Sequence, residues 1–285
     1  MQTNIPPRST IRLTRRGGLV LVVAGTAVAV PLLTLDSGPE ETRPATLVIP
    51  EDWCVSQVYD AIDKALELPP GSTRKSLGTA GLKLPSGAEG NPEGCLFPAT
   101  YPLRMEATPE SLLRSMVATA DSRFGAVPPA AGAQRDAMNV YQAVTIAGIV
   151  QAEAATKADM GKVARAVFNR LERGMPLQMD STVNYALHRN TVRTSQDDTR
   201  IESPYNSCQR MGLPPTPIGN PGEAAMRAAL NPTPGDWLYV VTVKPGDTRF
   251  SADYATHMRN VAAFNALHQG AGQGPSTVSA QPSAH

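Results

Sequence analysis

The stretch Thr145-Ile146-Ala147-Gly148-Ile149-Val150-Gln151-Ala152-Glu153-Ala154 decides how the rest of the chain is read. Ile146, Ile149 and Val150 recur at helical spacing, and the same period places Glu153 next in line. The pattern predicts a long helix over about 137–155, with Glu153 at the end of its buried stripe. A carboxyl group against apolar surface is costly to ionise, so its pKa should rise. That suits a general acid that holds a proton near neutral pH. The competing reading is a structural glutamate paired with Arg165 or Arg170.

Downstream, a helix is expected over Lys162–Glu172, with Asp159 near its start and Gly174 past its end. Residues 175–222 read as loop with short helical turns, and a connection of that length inside a domain is usually functional. It holds two polar clusters. Leu177-Gln178-Met179-Asp180-Ser181-Thr182-Val183-Asn184-Tyr185 offers donors, acceptors and a flat ring, which is what a sugar site needs, though an ordinary turn has the same composition. Ser203-Pro204-Tyr205-Asn206, followed by Gly212-Leu213-Pro214-Pro215 and Gly219-Asn220-Pro221-Gly222, is stiffened by proline, as a site loop or a surface turn would be. A helix is expected at Glu223–Leu230, strands at Trp237–Lys244 and from Phe250, and a last helix at Tyr254–Leu267.

Upstream, residues 47–49 read as a short strand and Val55–Leu66 as a helix on the spacing of Val55, Val58, Ile62 and Leu66. Residues 71–98 read as irregular, and Pro109–Ala120 as a helix capped by Thr108. The tail from residue 269 is rich in Gly, Ser, Gln and Pro and reads as disordered.

Composition narrows the function. The chain has 285 residues, 41% of them hydrophobic, which is enough for a core. Lys plus Arg number 26 and Asp plus Glu 25, so no basic field supports nucleic-acid binding. Four histidines without ligand spacing give no sign of a metal site, and neither a phosphate loop nor a Gly-x-Ser-x-Gly elbow is present. A Cys208 nucleophile with His257 has no local signature.

Arg8, Arg12, Arg15 and Arg16 precede an uncharged run, Gly17–Leu35, of 19 residues. At about 1.5 Å per residue it just spans a ~30 Å hydrocarbon core. The basic flank favours a cytoplasmic start and an exported remainder. An uncleaved anchor is the favoured reading. A signal peptide cut near Ala27-Val28-Ala29 is the alternative, and Thr14-Arg15-Arg16 hints at a twin-arginine signal. Export would let Cys54 and Cys95 form a disulfide, with Cys208 left over.

The runs "TIAGIVQAEA", "VARAVFNRLERGMPLQMDSTVNYAL", "SPYNSCQRMGLPPTPIGNPG" and "RFSADYATHMRNV", in this order, resemble the endolytic murein transglycosylases, the MltG or YceG-like family. "LVIPEDWCVSQVYDAI" and "EGCLFPATYPL" resemble the segment leading into that family's catalytic domain, so the likeness covers about residues 47–268. It implies a single-pass membrane protein that faces the cell wall, cuts nascent peptidoglycan strands internally and leaves 1,6-anhydro-N-acetylmuramoyl ends. It implies that Glu153 is the essential acid, at the end of a motif like I-V-x-x-E. Gln151 stands where the family usually has another Glu, and Ser181 stands where a proline usually follows the Asp. Only about half of the family's LysM-like module can be matched.

The resulting expectation is an α+β fold with one N-terminal transmembrane helix, a reduced LysM-like segment and a helix-rich catalytic domain with a small β-sheet. Its parts are a basic tail (1–16), anchor (17–35), linker (36–46), partial LysM-like segment (47–105), catalytic domain (106–268) and disordered tail (269–285). Gln178, Asp180, Tyr205 and Asn206 are assigned to substrate positioning, with Asn220 and His257 as further candidates. The expected partners are glycan strands, the membrane and peptidoglycan synthases, with no cofactor and no nucleic acid. A non-catalytic wall-binding or scaffold protein of the elongation or division machinery is the rival reading.

Overall fold

The computed structural model describes residues 45–126, 138–189 and 194–268. The expected basic tail, membrane anchor and C-terminal tail lie outside these residues, as does nearly all of the linker. The described residues fall within one compact unit, so no boundary at 105/106 divides them into separate bodies. Among them, no helix is long and apolar enough to cross a membrane.

The N-terminal lobe opens with strand β1 (Thr46–Val48), which pairs antiparallel with β2 (Thr100–Pro102), Leu47 opposite Tyr101. Between them lies α1 (Val55–Ala65), which turns Val58, Tyr59 and Ile62 inward. Asp63, also buried, fixes the chain after the helix. Its carboxylate accepts hydrogen bonds from the Gly71 amide (2.7 Å), the Thr73 amide (2.8 Å) and the Thr73 hydroxyl (2.6 Å). The stretch expected to be irregular is therefore partly ordered, with the short helices α2 (Ser72–Lys75) and α3 (Leu77–Ala80).

Helix α4 (Pro109–Gly125) begins where Thr108 caps it, the Thr108 hydroxyl accepting from the Ser111 amide at 3.2 Å. It runs a turn beyond the expected end because Phe124 is buried there, edge-on to Phe97 at 5.7 Å. Leu112, Leu113, Met116 and Val117 of α4 pack with Leu47, Val58, Ile62 and Leu96, while Ala120 and Phe124 join the second core. One helix thus serves both cores, which explains why the lobes form one unit.

The second core surrounds α5 (Val140–Glu153). Its start is set by a reciprocal cap, the Asn139 side chain accepting from the Gln142 amide at 2.8 Å and the Gln142 side chain from the Asn139 amide at 3.0 Å. That places it later than position 137. The sequence pattern suggested one buried stripe, but every residue from Ala143 to Val150 is buried. A helix enclosed on all sides needs no polar face. Around it pack α6 (Met160–Glu172) and α8 (Glu223–Leu230), with α7 (Asp180–Ala186) at its C-terminal end. Gly148 lets the loop at 218–219 approach, since a Cβ there would lie 3.3 Å from the Gly219 carbonyl oxygen.

Strands β3 (Tyr239–Lys244) and β4 (Asp247–Ser251) form an antiparallel hairpin, and α9 (Tyr254–His268) packs on it. The α+β class is as expected: among the described residues β3–β4 is the expected small sheet of the 106–268 segment, and β1–β2 forms a second two-stranded sheet in the first lobe. β1 and β2 bury only their central residues, Leu47 and Tyr101.

Candidate active site

A cleft of about 1350 Å³ runs between the lobes. One wall comes from residues 51–60 and 90–93, the other from α7, the 177–181 stretch and α9, with Glu153 between them. Glu153 is the last helical residue of α5, because Ala154 is already extended (φ −81°, ψ 119°). Its Oε1 accepts two bonds from Ser181, from the hydroxyl at 2.6 Å and from the amide at 3.2 Å.

Burial pushes the Glu153 carboxyl above the ordinary carboxylate range. The Ser181 hydroxyl and amide oppose that rise, while the negative charges of Asp180 and Asp52 add to it. The C-terminal end of α5, with its partial negative charge, works in the same upward direction. Among the described residues Glu153 makes no salt bridge. Arg170 bonds elsewhere: it donates to the carbonyls of Leu238 (2.6 Å), Pro176 (3.0 Å) and Leu177 (2.9 Å), and to the Gln178 side chain (3.0 Å). Arg165 Nε donates to the Thr233 carbonyl at 3.2 Å. The structural ion-pair reading of Glu153 therefore falls.

Gln178, Asp180 and His257 line the same cleft as Glu153. Gln178 holds a left-handed backbone (φ 51°), uncommon for a residue with a side chain, pinned by its amide bond to the Ser207 carbonyl at 2.8 Å. Asp180 is pushed up by burial. His257 is buried and stacks on Tyr239 at 4.9 Å, and burial together with nearby Arg170 pushes its pKa down. Among the described residues neither of its ring nitrogens has a hydrogen-bond partner.

Three candidates are placed otherwise than expected. Asn206 is buried, its amide donating to the carbonyls of Thr199 (3.0 Å) and Ile201 (2.8 Å) and accepting from the Cys208 amide (3.0 Å), so it shapes its own loop. Asn220 joins the lobes, accepting from the Leu96 amide at 2.7 Å and donating to the Trp53 carbonyl at 2.8 Å. Tyr205 stands behind the cleft wall, its ring 4.9 Å from Tyr185 and its hydroxyl 2.9 Å from that of Thr216. The carboxamides of Asn206 and Asn220 are thus used in bonds within the protein.

The Cys54–Cys95 bridge is not formed, and none of the three cysteines is in a disulfide. Cys54 sits at the N-cap of α1 and donates to the Gln57 side chain at 3.2 Å. Cys95 points into apolar contact with Ala88 and Tyr141, and burial pushes its thiol up to about 12.

Two departures from the resemblance acquire physical roles. Gln151 donates to Glu51 at 3.2 Å and accepts from the Gly222 amide at 3.1 Å, where a glutamate would face the Glu51 carboxylate. Ser181 supplies a hydroxyl and an amide hydrogen, neither of which proline has.

Sequence reasoning missed Glu93 and Asp52, which border the cleft as well; Tyr185, the flat ring of the 177–185 cluster, does line it. Glu93 is fully buried, and that burial pushes its carboxyl up to about 7 against the hydrogen bonds it accepts. Asp52 has a left-handed backbone (φ 70°). The only signal for Glu93 was an acidic residue inside "EGCLFPATYPL", an otherwise apolar run.

The description "YceG-like family" matches residues 23–263. An endolytic murein transglycosylase of Bacillus subtilis is 36% identical over 166 residues, 58% of this chain and 46% of that protein. One from Streptococcus pneumoniae is 31% identical over 255 residues, 79% of this chain and 45% of that protein. The chain thus spans less than half the length of these curated relatives. A crystal structure of a yceG-like protein from Listeria monocytogenes superposes with a TM-score of 0.64 at 30% identity, covering 76% of each chain. With the sequence motifs, the fold and the match over most of its length in agreement, the chain belongs to the YceG-like family.

Proposed function

We propose that this protein is a peptidoglycan lytic endotransglycosylase that cleaves the MurNAc–GlcNAc bond within nascent glycan strands. The observation that carries this reading is Glu153, a carboxyl with a raised pKa beside an interlobe cleft, held by Ser181 and in no salt bridge among the described residues. The family match and the activity named for its relatives support it.

In the reaction, protonated Glu153 gives its proton to the glycosidic oxygen as the C1–O bond breaks. The muramoyl C6 hydroxyl attacks the same C1 and closes the 1,6-anhydro ring. The Glu153 carboxylate then takes the C6 proton, so the acid is restored and no water is consumed. Hydrolytic glycosidases need a second carboxylate to activate water or form a covalent intermediate. An intramolecular nucleophile removes that need and brings a large proximity advantage. The Ser181 donors favour the ionised form of Glu153, which exists only between the two proton transfers.

Gln178, Asp180 and His257 are the residues we assign to substrate positioning. A neutral His257 offers one donor and one acceptor, which suits a sugar hydroxyl or acetamido group. Residues 47–105 we assign to a reduced LysM-like segment that forms the second wall of the cleft. Residues 17–35 we assign to a membrane anchor that keeps the cleft on the extracytoplasmic side, near the synthases that extrude the strands. The reaction requires no cofactor.

The test is to incubate the full-length protein with nascent glycan strands and search the products for anhydro-muramoyl ends by mass spectrometry. Wild-type protein should make them, and Glu153→Gln protein should not. Binding of strands without any cleavage would favour a wall-binding scaffold instead.

A further inference from the structure

Glu93 borders the cleft with none of its surface exposed. Its carboxylate joins two elements far apart in the chain. The amide of Val55, first residue of α1, donates to Oε1 at 3.0 Å and to Oε2 at 3.3 Å. The hydroxyl of Tyr185, in α7, donates to Oε2 at 2.9 Å. A fully buried carboxyl group carries a desolvation penalty that a simple helix cap does not require, since Ser, Thr, Asp or Asn caps from the helix's own chain at less cost. Its position is instead accounted for by what it connects.

Helix α7 has only seven residues, too few to hold its shape and place by internal hydrogen bonds. Its placement depends on outside contacts. Near its start, Ser181 faces Glu153 with two donors, and one turn later Tyr185 is tied to Glu93. Tyr185 also packs on Tyr205, whose hydroxyl is in turn held by Thr216.

We propose that Glu93 is a positioning residue: through Tyr185 it fixes α7, and with it the Ser181 donors on Glu153, so that the alignment of the acid depends on the N-terminal lobe. This rests on the assignment of Glu153 as the acid. Misplacing a catalytic group by about 1 Å costs on the order of a hundredfold in rate.

The test uses the full-length protein in detergent, as wild type, Glu93→Gln, Tyr185→Phe and the double variant. Each should retain the wild-type circular dichroism spectrum, lose ten- to a hundredfold in kcat and keep KM nearly unchanged. The double variant should be no worse than the poorer single variant, because both break one linkage. Carbon-13 NMR of labelled glutamate, with Glu153→Gln used for assignment, reads the acid directly. In each variant Glu153 should titrate at higher pH, because a loosened Ser181 no longer favours the anion. The charged groups that face Glu153 (Asp180 on α7, Asp52 on the N-terminal loop and Arg170 on α6) are retained in every variant.

A folded Tyr185→Phe protein with wild-type kcat and an unmoved Glu153 titration overturns the proposal, and it does so even if Glu93→Gln fails to fold. Additive losses in the double variant overturn it as well. If wild-type protein makes no anhydro ends, the assigned reaction fails, and the NMR titration still decides the positioning role.

Discussion

Ser181 donates both its hydroxyl and its amide to one oxygen of Glu153, at 2.6 and 3.2 Å. Both bonds favour the carboxylate and work against the rise caused by burial. Ser181→Ala removes the hydroxyl and leaves the amide. The Glu153 pKa should therefore rise further, and the alkaline limb of the kcat/KM profile should move to higher pH. An unmoved limb would show that the hydroxyl does not act on the ionised acid.

Glu153→Gln should lower kcat by about 10²–10⁴, the usual share of general acid–base catalysis. Its stability effect has a definite sign. The folded pKa of Glu153 is raised, so the group favours the fold below its unfolded pKa, and that contribution is lost as pH rises through the folded pKa. The variant should thus melt higher than wild type at alkaline pH, with the gap closing as pH falls. Thermal melts across pH on both proteins check this. A variant less stable than wild type at alkaline pH would mean that the ionised form is the one the fold prefers.

Glu93 gives the same sign with a window. Its carboxyl is raised from 4.5 to about 7, so wild-type stability should decline as pH rises through that range. Glu93→Gln should flatten the decline in a plot of Tm against pH. An equally steep decline in the variant would place its source in other groups.

Gln151→Glu would set a carboxylate against Glu51 and remove the donor that Glu51 now accepts. The contact is solvent-exposed, so the cost should be modest, about 0.5–1.5 kcal/mol, read as a lower denaturation midpoint. Because Gln151 also accepts from the Gly222 amide, Gln151→Ala should be destabilising too.

With Cys54, Cys95 and Cys208 all outside disulfides, titration of unreduced, denatured protein should find three thiols. Reducing agent should leave the melting temperature unchanged. Finding a single thiol would restore the bridge expected from the exported location.

Much of this was legible in the sequence. Apolar spacing located α1, α5, α8 and α9 to within a few residues, and the line of Ile146, Ile149 and Val150 led directly to Glu153. Periodicity works there because each helix turns a continuous surface inward. It did not reveal that α5 is enclosed on all sides, since that depends on partners distant in the chain. The internal bonds of the Asn206 and Asn220 carboxamides were not legible, because composition shows what a side chain can bond to, not what it already bonds to. Glu93 stayed hidden because its meaning lies in Val55 and Tyr185, neither a sequence neighbour. Ser181 was legible only as an absent proline, and its hydroxyl proved to be the closest contact of the acid.

The Asn220 carboxamide also bears on how the protein comes into being. It connects with Leu96 and Trp53, residues 124 and 167 positions earlier in the chain. Contacts so distant form late, because a long loop must close before they contribute anything. The cleft is therefore expected to assemble late in folding, when the 219–222 stretch docks on the first lobe. A chain interrupted before residue 220 would contain Glu153 and Ser181 yet have no finished groove in which to use them. For the cutting activity proposed above, this order would delay cleavage until synthesis and folding were essentially complete.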